Sequence, residues 1–157
     1  MITTGLGFDA HRFVTGRRLV LGGVELEYDK GLEGHSDADV LCHALSDALL
    51  GSVSAGDIGI HFPDTDPKWK GADSIIILEN VAEIVRSAGA EVVNVDAVVM
   101  AEQPKLFPYI AKMRERIAKA IGINVDFVSV KASTLEQMGA LGRGEGIGVL
   151  AIATVKR

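Results

Sequence analysis

From Ile2 to Phe13 apolar and polar positions alternate, and this period of two predicts a strand. A turn at Thr15-Gly16-Arg17 leads to a second strand near 18–26, and a glycine-bearing loop from Tyr28 to Gly34 leads into a first helix at about 37–51. In that helix Leu41, Ala44, Leu45, Ala48 and Leu49 recur at helical spacing as an apolar stripe. Ser36 is its expected N-cap, because Ser36-x-x-Asp39 has the form of a capping box. The segment from Gly56 to Lys70, rich in Gly, Asp and Pro, reads as a loop. A second helix spans about 73–88, with Asp73 or Ser74 near its start and Gly89 as its stop. Val92 to Met100 is a β-branched strand, and Pro104-Lys105 leads into a third helix, about 106–121, ended by Gly122. A strand near 126–132, a polar Gly-rich loop from Ala132 to Gly146 and a closing strand from Ile147 to Val155 complete the pattern. Helices and strands alternate, so the expected architecture is a sheet with helices on one face. No repeat, low-complexity segment or linker divides the 157 residues, which suffice for one domain, 1–157, with a sizeable core.

Composition narrows the class. Nearly half the residues are apolar but only 5% are aromatic, so the core is built from Val, Ile, Leu and Ala. Mean hydropathy is positive, yet no run of apolar residues is long enough to span a bilayer and no secretory signal opens the sequence. The expectation is a soluble protein, not bound to membrane. Such an apolar soluble chain also points to a buried subunit interface. The single cysteine, Cys42, excludes an internal disulfide and reads as a small buried hydrophobe. A net charge of −5 argues against a nucleic-acid surface. It does not argue against a phosphorylated small molecule, because bound cations reverse the local field.

The candidate chemistry begins with Asp9 and His11. Two apart on a strand, they point to the same face. His43, on the first helix and off its apolar stripe, is a third candidate ligand. Asp39 and Asp47, one turn before and after it, are candidates to hold its other ring nitrogen. An Asp, His, His set without a fourth protein ligand matches a catalytic zinc site with an open position. In the loop Gly56 to Asp66, Asp57 suits a sugar diol and Asp64 or Asp66 a hydroxyl, while His61 reads as structural. Lys131 to Glu136 places hydroxyls, a cation and a carboxylate at a strand end, a set able to bind phosphate oxygens and a second hard cation. Gly142-Arg143-Gly144-Glu145-Gly146 permits close backbone approach, and Arg143 can take a phosphate bidentately.

Several segments together resemble the 2-C-methyl-D-erythritol 2,4-cyclodiphosphate synthase family of the non-mevalonate isoprenoid pathway. They are Gly7 to Phe13, Gly34 to Val40, Ala44 to Gly51, Gly56 to Gly59, Phe62 to Asp66, Gln103 to Lys105 and Gly142 to Gly146, in order and spanning essentially the whole chain. The resemblance implies an α+β fold, a mixed sheet with helices on one face. It also implies a homotrimer whose sheets face the three-fold axis and whose active sites lie between subunits. Asp9, His11 and His43 would bind Zn2+, and Glu136 a second divalent ion, Mg2+ or Mn2+. His35 and Thr134 would stabilise the transition state. His35, Ser36 and Phe62, Pro63, Asp64, Thr65 and Asp66 would hold the methylerythritol phosphate. Asp57, Ile58 and Gly59 would meet the ribose. Ala101, Glu102, Gln103, Pro104, Lys105, Leu106 and Phe107 would form the cytosine pocket, with Lys105 near the phosphates. Ser133, Thr134, Leu135 and Glu136 would contact the diphosphate.

Two positions depart from some relatives. Ala140 stands where they carry an aromatic residue, and Leu135 where they carry a third hydroxyl. The 140–145 region, with Ala140 and Arg143, would line an axial cavity able to hold an isoprenoid diphosphate, its shape altered by Ala140.

The implied activity is that of a metal-dependent phosphorus–oxygen lyase acting on a cytidine diphosphate substrate. The 2-phosphate of 4-diphosphocytidyl-2-C-methyl-D-erythritol 2-phosphate attacks the β-phosphorus and CMP leaves. A phosphate nucleophile is already anionic at neutral pH, so charge withdrawal and ordering matter more than a strong base. The alternatives are a zinc phosphohydrolase and a trimeric metal-stabilised binding module for isoprenoid diphosphates.

Overall fold

The computed structural model describes residues 1–157. In chain order the elements are β1 (Ile2–Thr15), β2 (Leu19–Leu21), β3 (Val24–Leu26), β4 (Lys30–Leu32), α1 (Val40–Ser52), α2 (Ile58–His61), α3 (Ser74–Ser87), β5 (Glu91–Met100), α4 (Phe107–Ile121), β6 (Val128–Ser133), α5 (Gly139–Gly142) and β7 (Gly146–Lys156). Short 3-10 turns at Pro67–Trp69 and Val125–Phe127 complete the set. Five strands form one sheet in the order β4-β1-β7-β5-β6. It is mixed: β5 and β6 run parallel, joined through α4, and the other pairings are antiparallel.

The period of two decides what each face of the sheet meets. Along β7, Ile147, Val149, Ala151, Ala153 and Val155 are buried beneath the helices, while Leu150 and Ile152 point the other way. Along β1 the residues under the helices include Gly5 and Gly7. A Cβ on Gly5 would lie 2.0 Å from the Ala48 carbonyl oxygen, and one on Gly7 1.9 Å from that of Ala44. The backbone of α1 therefore rests directly on β1, at a distance only glycine allows. Because α3 packs on its other side, α1 is buried nearly all round. The expected apolar stripe is in fact an almost wholly buried helix.

The opposite face of the sheet carries only the short α5, whose Leu141 lies over Gly148 at one end. Leu6 is 64% and Phe8 59% exposed, and the register sets them beside Ile152 and Leu150. Val98 lies across Leu150 on the far side of β7. A contiguous apolar surface of this kind marks an association site. At one end of the sheet Ile2 pairs with Lys156, and the Arg157 N–H donates to the Met1 carbonyl at 2.9 Å, so the two ends of the chain are neighbours.

Six sequence expectations are corrected. The strand near 18–26 is a hairpin, β2-β3, turned at Gly22 and Gly23, both at positive φ (57° and 70°), as a two-residue primed turn requires. The 28–34 loop contains β4, which pairs with the end of β1. The 56–70 loop contains α2 and a 3-10 turn, and the 132–146 loop contains α5. Helix α1 begins at Val40, not 37. Its N-cap is Asp39, whose carboxylate accepts from Cys42 N at 3.0 Å, so Ser36 is not the cap.

Candidate metal and substrate site

Strand β1 presents Asp9 and His11 on the face that meets α1, and α1 brings His43 to them. Asp9 Oδ2 lies 2.8 Å from His11 Nε2 and 3.1 Å from His43 Nδ1, and the two nitrogens are 3.4 Å apart. These three are the chain's one group of donors spaced for a metal ion. A tetrahedron with arms of about 2.0–2.1 Å, the usual zinc–ligand length, has edges of roughly 3.3 Å, so the spacing fits.

Hydrogen bonding to the far ring nitrogens strengthens the fit. His11 Nδ1 lies 2.6 Å from the Glu33 carbonyl oxygen, which can only accept, so Nδ1 carries a proton. His43 Nε2 lies 3.0 Å from Ser74 Oγ and 3.1 Å from Ser36 Oγ. The Ser74 hydroxyl donates to Asp37 Oδ1, so Ser74 Oγ accepts from His43. With the neutral rings so oriented, two nitrogen lone pairs converge on a carboxylate oxygen. Such a set calls for a cation between them, a proton or a metal ion. With a proton in that place, burial still pulls the Asp9 carboxyl up, but hydrogen bonds and charge from the then protonated His11 and His43 outweigh it and hold it well below the usual carboxylate range. The bond to Asp9 raises His11, against the opposing pull of burial.

Asp39 and Asp47 do not hold His43, as the helix spacing had suggested. Besides capping α1, Asp39 accepts from Gly22 N at 2.9 Å and Gly23 N at 2.7 Å, tying the β2-β3 turn to the helix. Burial, with Asp37 nearby, pushes its carboxyl up while the three N–H donors pull it back. Asp47 accepts from Ile58 N at 2.8 Å and so anchors the loop leading into α2. Its carboxyl is raised mainly by burial. The partners of His43 instead come from Ser36, seven residues earlier, and from Ser74 on α3. Cys42 is fully buried, as expected. His61 Nε2 lies 2.8 Å from the Ala55 carbonyl oxygen, which fits its structural reading.

A cavity of about 470 Å³ opens beside the three ligands. His35 and Ser36 line one side, and Ile58, Gly59, Phe62, Pro63, Asp64 and Thr65 line another. Sequence reasoning missed Trp69 and Ile77, which also line it. Trp69 meets Phe62 edge-to-face at 4.9 Å between ring centroids, an aromatic pair that braces the 62–69 loop. Asp57 and Asp66 are occupied as caps, accepting from Ile60 N at 3.1 Å and Lys68 N at 2.9 Å.

A second cavity of about 230 Å³, sharing no residue with the first, lies at the ends of β5 and β6. Ala101, Glu102, Pro104, Lys105, Leu106 and Phe107 line it together with Ala132, Ser133 and Thr134. Phe107 is 87% exposed. Glu102 Oε1 accepts from Leu135 N at 2.8 Å and Gln137 N at 3.3 Å, and so organises the next loop. In that loop Glu136 and Gln137 both stand at positive φ, 50° and 63°. Thr134 Oγ1 donates to Glu136 Oε1 at 2.9 Å, apart from the Asp9–His11–His43 group. Gln103 and Leu135 belong to these loops without lining the cavity. Ala140 is exposed on α5, and Arg143 donates to Glu145 Oε1 at 2.7 Å.

Comparison with known proteins places the chain among its relatives. A 2-C-methyl-D-erythritol 2,4-cyclodiphosphate synthase from Chloroherpeton thalassium is 52% identical over 98% of this chain and 98% of its own. The protein of the same name from Synechococcus elongatus is 54% identical over 98% of this chain and 96% of its own. Among solved structures, a synthase of that name with CDP bound superposes with a TM-score of 0.90 at 32% identity, covering 98% of this chain and 99% of its own. The bifunctional IspDF of Campylobacter jejuni matches with a TM-score of 0.96 at 44% identity; this chain spans 42% of its length. Since residues 2–156 also match the YgbB family and the solved structures share the α+β sheet, this chain belongs to the YgbB family.

Proposed function

We propose that this chain is a 2-C-methyl-D-erythritol 2,4-cyclodiphosphate synthase, converting 4-diphosphocytidyl-2-C-methyl-D-erythritol 2-phosphate to the cyclic diphosphate and CMP. The observation that carries the reading is the convergence of Asp9, His11 and His43 at the mouth of the larger cavity, in a chain more than half identical to relatives of that name. In the reaction an oxygen of the substrate's 2-phosphate bonds to the β-phosphorus while the bond from that phosphorus to the CMP oxygen breaks. No water is consumed.

Zn2+ held by Asp9, His11 and His43, and Mg2+ or Mn2+ held by Glu136, would supply charge withdrawal from the phosphates. The remaining work falls to the chain. His35 and Ser36 hold the methylerythritol phosphate against the 62–66 loop. Asp57 and Gly59 meet the ribose, and the 101–107 segment encloses the cytosine. Lys105, Ser133 and Thr134 take the phosphates. His35 and Thr134 favour the transition state by donating where charge builds up. Binding the cytidine at a distance from the reacting phosphorus offsets the cost of folding a flexible substrate on itself.

The two separate cavities and the uncovered apolar sheet support a homotrimer. The open sheet faces lie on the three-fold axis, and each site is completed by a neighbour's 101–107 and 133–136 segments. The axial cavity such a trimer would enclose near Arg143, its shape altered by Ala140, would be the place for an isoprenoid diphosphate.

The test is mass analysis of the product with metal-loaded protein. The expected result is release of CMP with a cyclic product that has gained no water, lost on chelation and restored by zinc. A product heavier by one water makes the protein a phosphohydrolase instead.

A further inference from the structure

Ser74 is the first residue of α3 and is fully buried, yet it does not line the cavity, so its hydroxyl has no ligand to serve there. Its oxygen lies 3.0 Å from His43 Nε2. Asp37 takes both of its donors: the hydroxyl on Oδ1 and the backbone N–H on Oδ2 at 3.0 Å. We infer that Ser74 and Asp37 form a relay that fixes the tautomer and orientation of His43, making Ser74 a positioning residue for the metal.

The direction of the relay follows from its end. A carboxylate only accepts, so the Ser74 proton goes to Asp37, and the Ser74 oxygen is left to accept from His43 Nε2. That places the imidazole proton on Nε2 and the lone pair on Nδ1, the nitrogen 3.1 Å from Asp9. Ser36 is the other hydroxyl near Nε2, at 3.1 Å. It makes no bond to a carboxylate, accepts from Ala38 N at 3.3 Å, lies 3.4 Å from Ser74 Oγ, to which it can donate, and faces the cavity. It therefore does not fix its proton as Ser74 does. Asp37 is itself held, Oδ1 accepting from Asp39 N at 3.1 Å, the residue that caps α1. The relay thus joins the start of α3 to the helix that carries His43. Partners of this kind on metal-bound histidines typically contribute about 10–100-fold in metal affinity.

The inference rests on the metal reading given above, and the test separates the two. Zinc affinity is measured for the full-length protein by competition with a chromophoric chelator, alongside circular dichroism of the metal-free forms. Ser74→Ala is expected to bind zinc about 10–100-fold more weakly with unchanged secondary structure, and Ser74→Thr to match the wild type. In the Co2+-loaded protein the visible absorption of Ser74→Ala should shift as His43 loses its fixed orientation. Should Ser74→Ala fail to fold, Asp37→Asn carries the test, with an expected weakening of several-fold. Wild-type affinity in either folded variant overturns the relay while leaving the zinc site standing. Absence of zinc binding by the wild type overturns the metal reading and the relay together.

Discussion

Arg17 spans the loop that carries His35. Its Nη1 donates to the Gly34 carbonyl at 2.6 Å and its Nη2 to that of Ser36 at 2.7 Å, so one guanidinium grips the peptides on both sides of the proposed transition-state residue. Lysine presents a compact ammonium and cannot bridge two carbonyls as a planar fork does. Charge-assisted hydrogen bonds contribute about 1.5–3 kcal/mol. Arg17→Ala is therefore expected to lower kcat/KM roughly 10–100-fold, with Arg17→Lys recovering only part. Zinc content should stay at one per chain, since none of the three ligands lies in that loop. Steady-state kinetics beside metal analysis checks both. Residues such as Asp9 and His11 are legible in the sequence because a period of two places them on one face. Arg17, Ser74 and Asp37 are not. Their partners lie 17 to 37 positions away, and nothing in a lone serine or arginine says which carbonyl or ring it will meet.

Between elements, the tightest seam is the contact of α1 with β1. An added methyl at Gly7 would fall 1.9 Å from the Ala44 oxygen and 2.7 Å from Ala48 N, both backbone atoms that can yield only if the helix moves. Overpacking typically costs about 1–3 kcal/mol, and more where backbone must shift. Gly7→Ala should lose about 3 kcal/mol in urea denaturation and also weaken zinc binding, because α1 takes His43 with it. Gly51 supplies the contrast. It lies in the same helix, but its nearest neighbour to a new methyl is 3.8 Å away. Gly51→Ala should gain about 0.5–1 kcal/mol from helix propensity. The long elements were legible because periodicity accumulates over many residues. The hairpin at Gly22-Gly23 carried its own turn signal, masked by the apolar run around it. Strand β4, three residues long, has too few positions for any period and exists because β1 offers it an edge.

At the scale of the whole molecule, neither cavity alone holds the full set of proposed site residues. The larger has the metal ligands and His35, and the smaller has Lys105 and Thr134. A trimer that sets one against the other explains both the division and the bare apolar sheet. Mixing inactive Asp9→Ala and Glu136→Ala subunits should then partly restore activity, because some sites in mixed trimers draw both intact residues from different chains. No recovery, with subunit exchange verified separately, defeats the shared site. Exposure of Leu6 and Phe8 points to an interface, but that a second copy covers it is implied by the family resemblance alone, since hydrophobic periodicity records that a face is apolar and not what covers it.

The pairing of Ile2 with Lys156 brings the two ends together on neighbouring strands. Seven residue steps along β1, roughly 23 Å at about 3.3 Å each, separate Ile2 from Asp9. Linear order is therefore incidental to the architecture. A short linker could close the backbone into a ring, and the ring could be reopened at Gly89, where φ is 74° and no atom crowds the turn. Such a circularly permuted chain would keep every strand pairing, the seam under α1 and the metal ligands. A passenger domain attached at the original ends would hang from the side of the sheet remote from the chemistry.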